Sequence, residues 1–111
     1  MKTLALVLLF AGCVQEAMPM DEMPCPPTGT AHTYANFGEH FVGTYCNSCH
    51  TTSKNGAPRA FKFDTVEDIR AHADRIFVRA AGPNTSMPVG PLDPPPDERD
   101  QLAEWLACGA P

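Results

Sequence analysis

The sequence predicts an all-α chain in which three main helices are joined by proline-rich loops. Apolar residues recur at helical spacing in three separate stretches, Phe37–Tyr45, Val66–Ala80 and Leu102–Leu106. No stretch shows the period-two alternation of a half-buried strand. None of the twelve prolines falls inside those stretches, and Pro96 stands at the opening of the last helix, where a ring that blocks helix continuation is tolerated. There is no internal repeat. At 111 residues with 43% hydrophobic content, the chain has material for one core and one domain.

The first twelve residues read as an export signal. Lys2 supplies the charge, Leu4–Phe10 is wholly apolar, and Ala11-Gly12 puts small residues before Cys13. The apolar run is far short of the roughly 20 residues that span a bilayer. Phe10-Ala11-Gly12-Cys13 resembles the lipobox of bacterial lipoproteins. The resemblance implies that residues 1–12 are removed and that Cys13 becomes a lipid-bearing amino terminus; a soluble exported form is the alternative, since Phe10 stands where leucine is more usual. The expected location is a cell membrane or outer membrane, facing the periplasm. Thirteen acidic against eight basic residues give a net charge of −5, and losing Lys2 makes the mature chain more acidic. That balance excludes a nucleic-acid surface and points any charged partner towards a basic one.

Residues 13–31 carry Met, Pro, Glu, Gly and Thr without hydrophobic period, and Pro19, Pro24, Pro26 and Pro27 forbid a regular helix. They read as an extended tether, reaching roughly 35–40 Å at polyproline II rise from Cys13 to Pro24. Met18, Met20 and Met23 are soft donors that copper(I) accepts, although methionines in a linker ordinarily carry no metal. The domain proper is expected over residues 32–111.

Its first helix opens with Asn36 and Glu39 in a capping-box-like arrangement, and Phe37, Phe41, Val42 and Tyr45 mark one face. This helix runs directly into Cys46-Asn47-Ser48-Cys49-His50. Two cysteines three apart followed by a histidine form the attachment motif of c-type haem. On one helical turn Cys46 and Cys49 share a face, so two thiols meet the two vinyl groups along one porphyrin edge. The imidazole of His50 then reaches the iron as proximal ligand. Two other readings compete. A redox dithiol ordinarily follows a strand in a βαβ setting, which is missing here. A zinc site needs a fourth ligand, and only the isolated Cys25 and Cys108 are on offer. In an exported chain those two cysteines are the natural partners of a disulfide.

Thr51–Ala60 reads as a polar loop, with Lys54 and Arg59 as solvent cations or partners of a haem propionate. Asp64 or Thr65 caps the second helix, and Glu67 and Asp68 suit the positive end of its dipole. Val66, Ile69, Ala73, Ile76, Phe77 and Ala80 trace its buried face, and Gly82-Pro83 stops it. His72 falls beside that stripe, His40 off the first helix's stripe, and His32 before it. A proline-rich loop leads to the last helix at Pro96–Ala107, with Leu102, Trp105 and Leu106 inward and Gly109 as the residue just past its end.

From Asn36 to Cys108 this order of features resembles a class I, single-haem cytochrome c. The residues that carry the resemblance are Cys46, Cys49 and His50 after a helix, a helix ending at Gly82, Met87-Pro88, and an aromatic terminal helix. The resemblance implies a cytochrome c-like fold around one covalent haem c, with Met87 as distal ligand of the iron. It implies that the carbonyl of Pro58 accepts the proximal imidazole's hydrogen bond. It also implies that the first and last helices cross, through Phe37 or Phe41 against Trp105. Histidine and methionine together fill both axial sites and raise the reduction potential, so the implied role is electron transfer, not catalysis. Partners would be redox proteins that dock transiently, with the membrane engaged through the lipid and no nucleic acid. The alternative is a five-coordinate haem that senses or reacts with a gas or peroxide, which requires Met87 to be off the iron and His72 or His32 to serve as a polar distal donor.

Overall fold

The computed structural model describes residues 16–54 and 56–111; the signal segment and Cys13 lie outside them. Among the described residues the chain is helical and contains no strand. No helix among them is long and apolar enough to cross a membrane.

The first helix, α1 (Glu39–Tyr45), is entered through a π-helical turn at Tyr34–Gly38. Its cap lies three residues earlier than the sequence suggests. Thr33 is the N-cap: its hydroxyl accepts from the Asn36 N–H at 3.1 Å, and the Asn36 side-chain oxygen accepts from the Thr33 N–H at 2.7 Å. Asn36 thus takes the third-position role that Glu or Gln usually fills. The amides of Phe37 and Gly38 both donate to the Thr33 carbonyl, and the wider of those two loops is the π turn. π turns often occur where a helix must accommodate a neighbour, and here the neighbour is Trp105. A Cβ built at Gly38 would collide with the Trp105 indole, so only glycine allows the backbone this close. Phe37 adds an edge-on contact, its ring centroid 6.0 Å from that of Trp105.

The middle helix is two helices, where the periodicity suggests one. α2 (Val66–Ala71) has Thr65 as N-cap in a reciprocal box with Asp68. α3 (Ala73–Ala80) follows after His72, whose φ of −115° and ψ of 16° leave the α-helical region. The break seats the His72 ring 5.3 Å from Phe61 and 5.9 Å from Phe63. Packing across the chain has overridden a continuous apolar stripe. α3 ends where Gly82 takes a φ of +56°, a conformation that suits glycine.

α4 (Pro96–Ala107) has Pro96 at its first position and Asp97 and Glu98 in its first turn. Its end is a Schellman motif. The Gly109 N–H donates to the Leu106 carbonyl at 3.0 Å, and the Ala110 N–H to the Trp105 carbonyl at 2.8 Å. Gly109 takes a φ of +88°, as the position requires. The terminal residues are then used inward: Arg70 donates to the Ala110 carbonyl at 3.0 Å and the Trp105 indole N–H to the Pro111 carbonyl at 3.2 Å.

These contacts enclose one apolar core, in which Phe41, Ile69, Phe77, Leu102, Trp105 and Leu106 are fully buried. Part of the segment read as a tether also belongs to it. From Met18 to Met23 the chain lies on the domain, with a short 3₁₀ turn at Met20–Glu22 and all three methionines half-buried against the core. Asn84 fastens it, accepting from the Met18 N–H and donating to the Met18 carbonyl, each at 2.8 Å. Flexible thioether side chains fill an irregular surface well, which composition alone does not reveal. Cys25 and Cys108 form a disulfide with Cα atoms 4.7 Å apart, tying this segment to the end of α4.

Gly38→Ala is expected to destabilise the domain by about 1–3 kcal/mol, because the added methyl overpacks a site that no side-chain rotation relieves. Denaturant unfolding of the two proteins measures it, and equal midpoints would remove Gly38 from this role.

Candidate functional site

A cleft of about 350 Å³ opens between the end of α1, the Cys46–His50 loop, α3 and the loop that follows α3. Cys46, Cys49 and His50 line one side, and Met87 with Pro88 and Val89 lines it from the loop after Gly82. Phe41, Phe63, Ile76 and Ala80 supply apolar wall. The four side chains singled out by sequence as haem-binding therefore border one cavity, although thirty-seven positions separate the last two.

The Cys46–His50 loop is built by α1 running on. The amides of Cys46 and Asn47 both donate to the Val42 carbonyl at 2.9 Å, and those of Cys49 and His50 return to the Cys46 carbonyl at 3.1 and 2.9 Å. Consecutive turns hold the two thiols and the imidazole in one compact group. Gly56 closes over it: a Cβ there would lie 2.9 Å from the Cys49 sulfur. Lys62 donates to the Lys54 carbonyl at 2.8 Å and reaches the Cys49 carbonyl at 3.5 Å, fastening the loop from the other side.

His50 is held in one tautomer. Its Nδ1 lies 2.6 Å from the Phe61 carbonyl oxygen, which can only accept, so Nδ1 carries the proton. In the neutral ring this leaves the lone pair on Nε2, the state in which imidazole binds a metal. The ring stacks on Phe63 at 4.7 Å and 11°, which fixes its plane. The expected acceptor was the carbonyl of Pro58. That carbonyl instead accepts from the Phe61 N–H at 2.9 Å, closing the 3₁₀ turn Arg59–Phe61. The turn brings the chain round so that the carbonyl presented to His50 is that of Phe61. Pro58 still lines the cleft.

The two thiols are free and half-buried. Enclosure pushes the Cys46 thiol up to about 12, against a smaller downward pull from the Arg99 guanidinium. Met87 is 38% exposed, and its backbone is held at both ends: its N–H donates to the Arg79 carbonyl and its carbonyl accepts from Arg99, each at 2.8 Å.

The other candidates fall elsewhere. His32, His40 and His72 do not line the cleft. His32 leans on the Phe37 ring at 5.1 Å, and His72 packs on Phe61 and Phe63. Lys54 and Arg59 are also outside the lining; the cations on it are Arg75 and Arg79, one turn apart on α3. Their signal in the sequence is that each immediately precedes an apolar cleft residue, Ile76 or Ala80. Arg99, buried behind Met87, had no signal beyond its position on α4. Among the described residues no three His, Cys, Asp or Glu side chains gather as a metal site. With Cys25 and Cys108 joined, the cysteine ligands that a zinc site would need are used up.

Comparison with protein-family models, curated proteins and solved structures returned no match.

With both thiols unmodified, the Cys46 thiol is expected to alkylate at pH 8 at least about a hundredfold more slowly than after unfolding, because the reactive thiolate is suppressed. The unfolded thiol ionises near pH 8.5, so the folded state retains the extra proton above that pH. Stability is then undiminished below about pH 8.5 and falls as pH rises towards 12. Peptide mass spectrometry after timed iodoacetamide treatment reads the first effect, and equal rates in folded and unfolded chain would contradict it.

Proposed function

We propose that this chain is a cytochrome c-like electron carrier that holds one haem c in the cleft. The observation that carries the reading is the convergence of Cys46, Cys49, His50 and Met87 on one apolar cavity, with His50 already in the metal-binding tautomer. The donor set fits the group. Cys46 and Cys49 would hold the haem through two sulfurs, and His50 and Met87 would offer a nitrogen and a thioether to its iron. Phe41, Phe63 and Ile76 offer apolar surface to a flat macrocycle, while Arg75 and Arg79 supply positive charge for its carboxylates. When bound, such a haem supplies a one-electron couple.

The work of the protein is then to tune and expose that couple. The Phe61 carbonyl orients His50 and strengthens it as a donor through the Nδ1–H bond. Met87, a weak and polarisable donor, favours the reduced state relative to a second imidazole. The apolar wall limits water and so lowers the local dielectric, which also favours the less charged state. Were His50 and Met87 both to bind the iron, they would leave no place there for oxygen or substrate, and electrons would pass through the rim of the cleft. Exposed Val89 lines that rim, where a redox partner would dock briefly. On this reading the chain is exported, anchored through lipid on Cys13, and faces an oxidising compartment, in keeping with the Cys25–Cys108 disulfide.

Met87→Ala is expected to open the sixth position, lower the reduction potential and let carbon monoxide bind the reduced protein. Optical spectra and a redox titration of both proteins test this. Carbon monoxide binding to the wild type would instead favour a five-coordinate sensor. An unchanged spectrum and potential in the variant would move the distal ligand to another residue.

A further inference from the structure

Arg99 is 5% exposed, and among the described residues no carboxylate lies within 4 Å of it. Burying a guanidinium is costly unless its donors are satisfied. Here one nitrogen, Nη1, lies 2.8 Å from the Ala80 carbonyl, 2.8 Å from the Met87 carbonyl and 3.1 Å from the Asn84 carbonyl. Ala80 is the last residue of α3, so that carbonyl also belongs to the negative end of a helix dipole. The Arg99 backbone takes part as well, its carbonyl accepting from the Gly82 N–H at 2.9 Å. The first turn of α4, the end of α3 and the 81–87 loop therefore meet at a single side chain.

A hydrophobic side chain of similar volume would fill this space without the desolvation cost. What it would lack is the ability to bridge three carbonyls from two segments at once. The guanidinium does this through Nη1 alone, at the far end of a long side chain. The Met87 N–H is already bound to the Arg79 carbonyl, so Arg99 supplies the second of the two backbone restraints on Met87. Without it the residue hangs on one hydrogen bond at the edge of the cleft.

We propose that Arg99 is a positioning residue that holds Met87 in place at the cleft. The identity of Met87 as an iron ligand rests on the function proposed above; the restraint on the loop does not. The test compares wild type, Arg99→Met and Arg99→Lys, each full-length and carrying its haem, by amide hydrogen exchange and optical spectroscopy. In Arg99→Met, exchange at residues 84–90 should accelerate while α2 and the Phe77 region stay protected. The spectral signature of thioether ligation should be weakened or lost, and carbon monoxide should gain access to the reduced iron. Arg99→Lys keeps the charge and a single donating nitrogen on a stem one atom shorter, so it reaches the three carbonyls less fully and should fall between the two.

Unchanged exchange at residues 84–90 with an unchanged spectrum in Arg99→Met overturns the proposal. So does acceleration spread evenly over all helices, which would make Arg99 a general stabiliser only. If Arg99→Met does not accumulate, Arg99→Lys carries the same readouts, and wild-type behaviour in it counts against the proposal. If the wild type itself shows no thioether at iron, the function proposed above fails. The exchange comparison at residues 84–90 then still decides the role of Arg99.

Discussion

The flat approach of the Gly38 backbone to the Trp105 indole is the contact on which the cleft depends. It seats the turn leading into α1 directly on α4. From that seat α1 runs without interruption into Cys46–His50, which forms one wall. From the same helix α4, two turns towards its start, Arg99 reaches the carbonyls of Ala80 and Met87 and holds the other wall. The separation of the two walls is thus set by how closely one backbone and one ring can pack. A side chain at position 38 would force both walls to move.

A domain this small has little apolar material with which to absorb such a shift. About 80 residues bury a modest share of their surface, and a cleft in the middle lowers that share further. The chain compensates at its edges. The Met18–Met23 segment adds three thioether side chains to the core, held there by the Asn84 carboxamide. The Cys25–Cys108 disulfide joins that segment to the end of α4, and the last two residues fold back to satisfy Arg70, Tyr34 and Trp105. A macrocycle in the cleft would complete the core, so on the proposed reading cofactor and fold are one problem.

Features decided locally were legible in the sequence. Thr65, Pro96 and Gly109 start or stop their helices through conformations and hydrogen bonds confined to a few neighbouring residues, and Gly82 through its own positive φ. The Cys46–His50 group was legible for the same reason, as was the pairing of two leftover cysteines. What escaped depends on residues far apart in the chain. The break at His72 follows from rings at Phe61 and Phe63, and the π turn from an indole on α4. The passage from Pro58 to Phe61 as the acceptor for His50 follows from a 3₁₀ turn that consumes the Pro58 carbonyl. Nothing in the sequence singles out Arg99. Its burial arises only when the ends of α3 and the Met87 loop close over it.

The account stands most directly on whether Cys46 and Cys49 carry a haem. The decisive measurement is mass spectrometry of the chain produced alongside a c-type haem maturation system, both intact and after proteolysis. The account predicts a gain of one haem that stays with the peptide containing Cys46 and Cys49 under denaturing conditions, with neither sulfur open to alkylation. A colourless chain whose Cys46 and Cys49 both alkylate after unfolding would contradict it.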